Sequence, residues 1–391
     1  MRARPLPTCL LLLSTFASAA FVANPGARPP GTAGTPRYDP DSATPSTVRT
    51  IVSALQSDGA AARGAPSAGD RAARFIADRM KRIGLKPGGD SGYFQHVPMV
   101  VRNGHAAALP NIAAFDSVPA GQRRMAVNVI GIIPGYRGFL DRVARRDAAP
   151  ADSVVVIEAF YGHLGIDRPA SDDSADRSAD VDASGAAAVL ELARVIQGDE
   201  PHRYTIVFLV TTGDEDGQAG TTWYVAHPFA SIGLTVASLG FEMIGRSDSR
   251  AGGPGRAWIT NDSRSTMGEL FRHDRLPFIP DPRSCQQVFA PGDRAFGAAG
   301  IPAHTISSFE LPPNRGAPSD SATLDFMHMA AVIDAGVHAV RMLADDPPPT
   351  WLPGGRPGMP NSKPDSLCSG AGPGRPDTVG RVRDSDRTRG R

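Results

Sequence analysis

Apolar residues first recur at helical spacing over residues 46–55, and again over 68–83. In the second stretch Ala73, Phe75, Ile76, Met80 and Ile83 fall near one stripe, and Gly84 closes it. Further on the pattern changes to short, nearly continuous apolar runs. Met125–Ile133 ends at Pro134-Gly135. Ser153–Ala159 has Val154-Val155-Val156-Ile157 at its centre. Tyr204–Val210, Val236–Met243 and Ile301–Ser307 repeat the theme. Runs of this kind predict strands buried on both faces. Asp182 or Ser184 caps a helix that passes through Ala186-Ala187-Ala188-Val189-Leu190 to Ile196, and Thr323–Ala344 reads as a long amphipathic helix. Strands alternating with helices predict an α/β fold with a mainly parallel sheet covered on both sides.

The ends of the chain read differently. In residues 1–20, Arg2 and Arg4 precede a short apolar run from Cys9 to Phe16, and Ala17-Ser18-Ala19 follows as a small-x-small pattern. That is the layout of a secretory signal, and it predicts a secreted or periplasmic protein. The apolar run is too short to span a bilayer, and no other run of transmembrane length is evident. Residues 21–45 read as a flexible leader. Residues 346–391 read as a disordered Pro/Gly/Arg-rich tail, because almost nothing there can build a core. The expected domain is 46–345.

Composition narrows the partners. A net charge of +1 offers no excess for nucleic acid or an anionic membrane surface. Three cysteines exclude a disulfide-dense scaffold and a Cys-based zinc finger. After export Cys285 and Cys368 would be two thiols in an oxidising compartment, and their pairing is left open.

In doubly covered sheets, sites lie outside the carboxyl ends of the strands. Here those ends run into Phe160-Tyr161-Gly162-His163, into Gly213-Asp214-Glu215-Asp216-Gly217, and into Glu242, while Asp180 and Asp182 precede the Ala-rich helix. One rim thus gathers carboxylates and is poor in histidine, a donor set that suits Ca²⁺ or Mg²⁺ better than zinc. Alternatively these acids are helix caps and solvated loop residues.

Several segments together resemble the di-zinc aminopeptidases of the aminopeptidase Y and bacterial leucyl aminopeptidase family, in metallopeptidase clan MH. They are residues 68–87, Asn128-Val129-Ile130-Gly131 with Pro134-Gly135, and Phe160–Gly165. Next come Ala183-Ser184-Gly185, Trp223–Pro228 and Glu242-Met243-Ile244-Gly245-Arg246. Ala299–Ala303 and Ala317-Pro318-Ser319-Asp320 complete the set. The resemblance covers about residues 46–345. It implies a three-layer α/β/α domain with a central mixed, mainly parallel sheet.

The family's chemistry holds two zinc ions about 3.5–4 Å apart with a water between them. At an effective dielectric of about 20 their gross repulsion is roughly 19 kcal/mol, so anionic and imidazole ligands are needed in number. The resemblance places Phe160 at the first histidine ligand, Gly162 at the aspartate that orients it, and Val181 at the bridging aspartate. Asp214 falls at the general base. Glu215 keeps the glutamate ligand, Glu242 replaces the second aspartate ligand, and Gly316 stands at the last histidine. Three of the five ligand positions, Phe160, Val181 and Gly316, therefore carry side chains that cannot bind metal. A catalytic zinc ordinarily has three protein ligands. Neighbouring substitutes exist in sequence: Asp180 or Asp182 for the bridge, and His163 for the first histidine. His304 and His328 are nearest to Gly316, with packed or surface roles as the default.

The expectation is a secreted zinc-aminopeptidase-like protein without di-zinc hydrolysis. Its cleft would bind a peptide or protein, with zinc suggested by family resemblance alone. Two readings compete with it. One is an active hydrolase on an unorthodox, carboxylate-rich site around Asp214, Glu215 and Glu242, with His163 as a further candidate. The other is a structural Ca²⁺ or Mg²⁺ site.

Overall fold

The computed structural model describes residues 41–56, 68–102, 105–136, 153–162, 183–213, 218–281, 291–308 and 324–356. Helices α1 (Pro45–Gln56) and α2 (Ala68–Ile83) come first. Gly84 ends α2 with φ near +96°, and its N–H returns to the carbonyl of Met80. That left-handed conformation suits glycine, which has no Cβ to clash. There follow β1 (Lys86–Pro87), β2 (Phe94–Arg102), β3 (His105–Ala108), α3 (Ile112–Ser117), β4 (Arg123–Ile133) and β5 (Val154–Phe160). Next are α4 (Ser184–Ile196), β6 (Thr205–Thr211), α5 (Ala219–Ala226), β7 (Thr235–Phe241), β8 (Ala257–Ile259) and α6 (Thr266–His273). The chain closes with β9 (Phe278–Pro280), α7 (Pro291–Ala298), β10 (Ala303–Ser307) and α8 (Phe326–Asp345).

The strands form one sheet in the order β3-β2-β4-β6-β5-β7-β10-β8-β9, with β1 paired to β4. The run β6-β5-β7-β10 is parallel, as is the β8/β9 pair. The arm from β4 outward and the β10/β8 pair are antiparallel. The sheet is therefore mixed, with its parallel run at the centre.

Side chains alternate across the sheet and feed two cores. Val155, Ile157, Phe208, Val210, Leu239 and Phe241 face α1, α2, α4 and α8. Val154, Val156, Val207 and Leu209 face Tyr224 of α5 and Phe296 of α7. This is the expected three-layer arrangement. By length and composition α8 could cross a bilayer, but Met329, Val332, Ile333, Val337 and Val340 are buried in the first core. Glu191 of α4 is fully buried and locks that layer, accepting from Thr47 Oγ1 (2.9 Å), Arg194 Nε (3.0 Å) and Arg79 Nη2 (3.3 Å). A buried carboxylate is tolerated in this setting because cations and a hydroxyl satisfy it.

Three expectations need correction. Ser184 does not cap its own helix: it is the first residue of α4, and its hydroxyl accepts from the Ile244 N–H at 3.1 Å. Asp182 lies outside the described residues. The last helix starts at Phe326, because Asp325 caps it by accepting from the His328 N–H. The domain also continues past 345. Residues 346–356 run back over α6 and the Gly300 turn. Thr266 N–H donates to Thr350 O, Leu352 N–H to Arg264 O, and the Trp351 indole N–H to Gly300 O at 2.9 Å. Backbone hydrogen bonds to a packed partner anchor a segment that composition alone reads as tail. Residues 1–40, with the signal and Cys9, 282–290, with Cys285, and 357–391, with Cys368 and the Arg-rich end, lie outside the described residues.

Candidate functional site

Because β6, β5, β7 and β10 are parallel, Thr211, Phe160, Phe241 and Ser307 end on one rim. The register sets Phe160 beside Thr211 and Glu158 beside Gly240, and Phe160 and Glu242 each follow two residues after that last pair. Glu158, Phe160, Gly240, Glu242, Gly292 and Thr305 line an open pocket of about 260 Å³ there.

Of the positions that the resemblance assigns to the metal site, three fall among the described residues. Phe160 is 9% exposed and lines the pocket. Gly162 has φ near +86°, a backbone conformation that glycine adopts without strain. Glu242 is half-buried, and its N–H donates to Ile306 O at 3.0 Å. Asp180, Val181, Asp182, His163, Asp214, Glu215, Asp216 and Gly316 lie outside the described residues. Among the described residues, no three His, Cys, Asp or Glu side chains come together as a metal site.

The backbone that carries Glu242 is tied on three sides. Met243 takes φ near +52°, and its carbonyl accepts from Ser308 N–H at 3.1 Å. Ile244 N–H reaches Ser184 at the start of α4, and Gly245 O accepts from Asp325 N–H at the start of α8. A non-glycine residue in the left-handed region costs energy and persists where its surroundings over-determine it. Gly185 lets α4 dock: a Cβ there would run into the carbonyl oxygen of Phe241. That gives Ala183-Ser184-Gly185 a packing reason.

Asn128 ties together the described residues on either side of 214–217. This fully buried side chain donates to Gln95 Oε1 and to Gly220 O, both at 2.9 Å, and accepts from Thr212 N–H at 3.1 Å. It thereby joins β2, β4, the end of β6 and the first turn of α5. Gly213, at φ near +68°, and Gln218, at φ near +63°, flank the undescribed residues 214–217.

Glu158 was not visible as a site residue in the sequence. It is 5% exposed on β5 and accepts from Ser238 Oγ at 3.2 Å. The first turn of α7 closes on it, and a Cβ at Gly292 would overlap its carboxylate oxygen. A helix amino terminus favours a negative charge at that place. The signal was a lone carboxylate inside an otherwise apolar strand run. Beside it Asp293, also buried, accepts from Asn261 Nδ2 (2.8 Å), Thr305 Oγ1 (2.9 Å) and Thr260 Oγ1.

The two histidines nearest Gly316 in sequence are internal. His304 is fully buried, with Nδ1 against Thr260 O and Nε2 against Ser265 Oγ, each at 2.6 Å. Burial pushes it down to about 4, with the Thr260 carbonyl opposing. It is therefore neutral near pH 7, donating from Nδ1 and accepting from Ser265. His328 accepts from Gly255 N–H at Nδ1 and lies 2.7 Å from Ser308 Oγ at Nε2. Burial lowers its pKa too, while Asp325 opposes. Tyr161, behind the rim, donates to Val127 O at 2.7 Å, and burial raises its pKa.

Comparison with known proteins agrees with this architecture. The model of Peptidase family M28 matches residues 142–334, just under half of the chain. No curated protein matches the sequence. Among solved structures, a zinc aminopeptidase from Bacillus subtilis is 14% identical, with a TM-score of 0.51 over 77% of this chain and 95% of that one. An aminopeptidase from Aneurinibacillus sp. strain AM-1 is 16% identical, with a TM-score of 0.50 over 80% and 96%. A Zn-dependent exopeptidase from Parabacteroides distasonis is 14% identical, with a TM-score of 0.50 over 76% and 98%. The chain thus carries a region similar to peptidase family M28 on the fold of the zinc aminopeptidases.

Proposed function

We propose that this protein belongs with the zinc aminopeptidases of clan MH by descent and fold, and that it is exported, has lost di-zinc peptide hydrolysis, and binds a peptide or protein through the old cleft. The observation that carries this reading is Phe160 at the carboxyl end of β5, among the residues that line the pocket. The family resemblance puts a metal-binding imidazole at that position.

The residues present do not fit a pair of zinc ions. Phe160 offers a hydrocarbon ring, and Val181 and Gly316 offer no donor atom. Glu215 and Glu242 alone remain at ligand positions, about one protein ligand for each ion where three are usual. Asp214 at the general-base position is one methylene shorter than the family's glutamate, and a displacement of about 1 Å can cost about a hundredfold in rate. No hydrolytic step is derived for this site.

The experiment is hydrolysis of aminoacyl p-nitroanilides with zinc added in steps, on wild type and Glu215→Ala. The reading predicts no zinc-dependent rate above that of the variant. A wild-type rate that rises with zinc and vanishes in Glu215→Ala would establish an active hydrolase instead.

A further inference from the structure

His328 stands where three segments meet. It lies in the first turn of α8, and its N–H donates to the carboxylate of the capping Asp325 at 3.0 Å. The residue is only 1% exposed. Its Nδ1 accepts from the Gly255 N–H at 2.8 Å, and its Nε2 lies 2.7 Å from Ser308 Oγ. Gly255 ends the turn before β8, in which Gly252, Gly253 and Gly255 all take positive φ. Ser308 follows β10, and its N–H donates to the carbonyl of Met243 on the rim. One ring thus joins the turn before β8, the end of β10 and the start of α8.

These partners fix the ring's protonation. A backbone N–H can only donate, so Nδ1 keeps its lone pair while the Gly255 bond exists. The proton of the neutral ring then sits on Nε2 and is donated to Ser308 Oγ. A second proton, on Nδ1, would set two N–H groups against each other. A hydroxyl can rotate to suit such a change, but the amide of Gly255 cannot. The site also disfavours the charge itself. A helix amino terminus repels a cation, and burial lowers the pKa of His328, with Asp325 opposing. The other charged groups on the segments that meet here are Arg250, Arg256, Glu242, Arg246 and Arg49. Arg250 is held by Asp248, Arg256 is turned to Ala251 O, and Arg49 lies over the Phe326 ring. Glu242 and Arg246 belong to the rim segment around Met243.

We propose that His328 is an acid-released latch: the neutral ring holds the Gly255 turn against α8 and the end of β10, and a proton taken up at Nδ1 lets that turn go. Release costs the Gly255 N–H its acceptor and loosens Ser308, which in turn ties the Met243 carbonyl beside Glu242. The latch does not depend on whether the rim holds metal, and its test uses neither metal nor ligand.

The test is amide hydrogen exchange of the full chain at about pH 7 and about pH 5, corrected for the intrinsic rates, in peptides containing Gly255 and Ser308. Once released, the ring takes up a proton near the ordinary imidazole value of 6.5, which the latched ring refuses. The released form therefore gains population as pH falls below that value. About tenfold less protection at Gly255 is expected at the lower pH, with a smaller loss at Ser308. In His328→Asn, Oδ1 stands near the place of Nδ1 and accepts without titrating, so Gly255 should stay protected at both pH values. His304 is unchanged in that variant and accounts for any residual pH dependence. Ser308→Ala leaves the Gly255 bond in place and should keep the wild-type pH dependence there. Nitrogen NMR of the wild-type chain gives a reading that needs no variant: at neutral pH His328 should carry its proton on Nε2. Equal wild-type protection at both pH values, the same pH dependence in a folded His328→Asn variant, or a proton on Nδ1 at neutral pH would overturn the proposal.

Discussion

His304 is the residue whose environment makes the clearest statement about pH. Buried and hydrogen-bonded as a neutral ring, it titrates at about 4, against 6.5 for an ordinary imidazole. Between those values the unfolded chain binds a proton that the folded chain refuses. Stability from this residue is thus complete above about pH 6.5 and is lost as pH falls toward 4, about 3 kcal/mol in all. Urea unfolding of wild type and His304→Gln across that range should show the flatter profile in the variant. Parallel profiles would contradict the assignment. His304 lies in an apolar run that reads as a buried strand, so its burial was legible. Its partners were not, because Thr260 and Ser265 come from a distant segment. The same limit hid Glu158 and Asn128. Alternation says which side of a sheet a residue faces, but it does not say which donors from α7 or α5 will meet it there.

Among the elements, strands with continuous apolar runs and helices with long stripes were legible to within a few residues. Those that the apolar pattern does not mark share a different origin. β2 contains Pro98 and mixes Gln95 and His96 with valines, and it is ordered by pairing to β4. α5, with two threonines and a glycine in eight residues, has little helix propensity of its own; Trp223 and Tyr224 bury themselves to hold it. The contact of α4 with β7 is one that a sequence motif marks and packing explains. Gly185→Ala would push a methyl group into the Phe241 carbonyl. Overpacking of this kind costs about 1–3 kcal/mol. Denaturant unfolding should show that loss, whereas the same change at exposed Gly121, where a Cβ meets nothing, should leave the midpoint nearly unchanged. Equal midpoints for both variants would mean that α4 can shift away from the sheet.

For the whole molecule, the closing strap marks where composition misleads. Residues 346–356 look like the start of a proline-rich tail, yet they bridge Ser265 to Trp351 and hydrogen-bond to α6 and the turn before β10. At roughly 1 kcal/mol per net hydrogen bond, removing them costs several kcal/mol. A chain ending at 345 should melt well below one ending at 356; equal melting temperatures would show the strap to be ornamental. Fold class was legible because periodicity and segment order agree over the whole domain. The site was legible only as a pattern of replacements, since four of its positions, Val181, Asp214, Glu215 and Gly316, fall outside the described residues. On the proposed reading the rim no longer holds a metal pair. Elemental mass spectrometry decides it most directly, on the full chain purified without chelator and dialysed against micromolar zinc. Near-zero zinc per chain is the predicted result. Close to two zinc ions per chain would contradict it, and would mean that residues other than Phe160, Val181 and Gly316 supply the missing ligands.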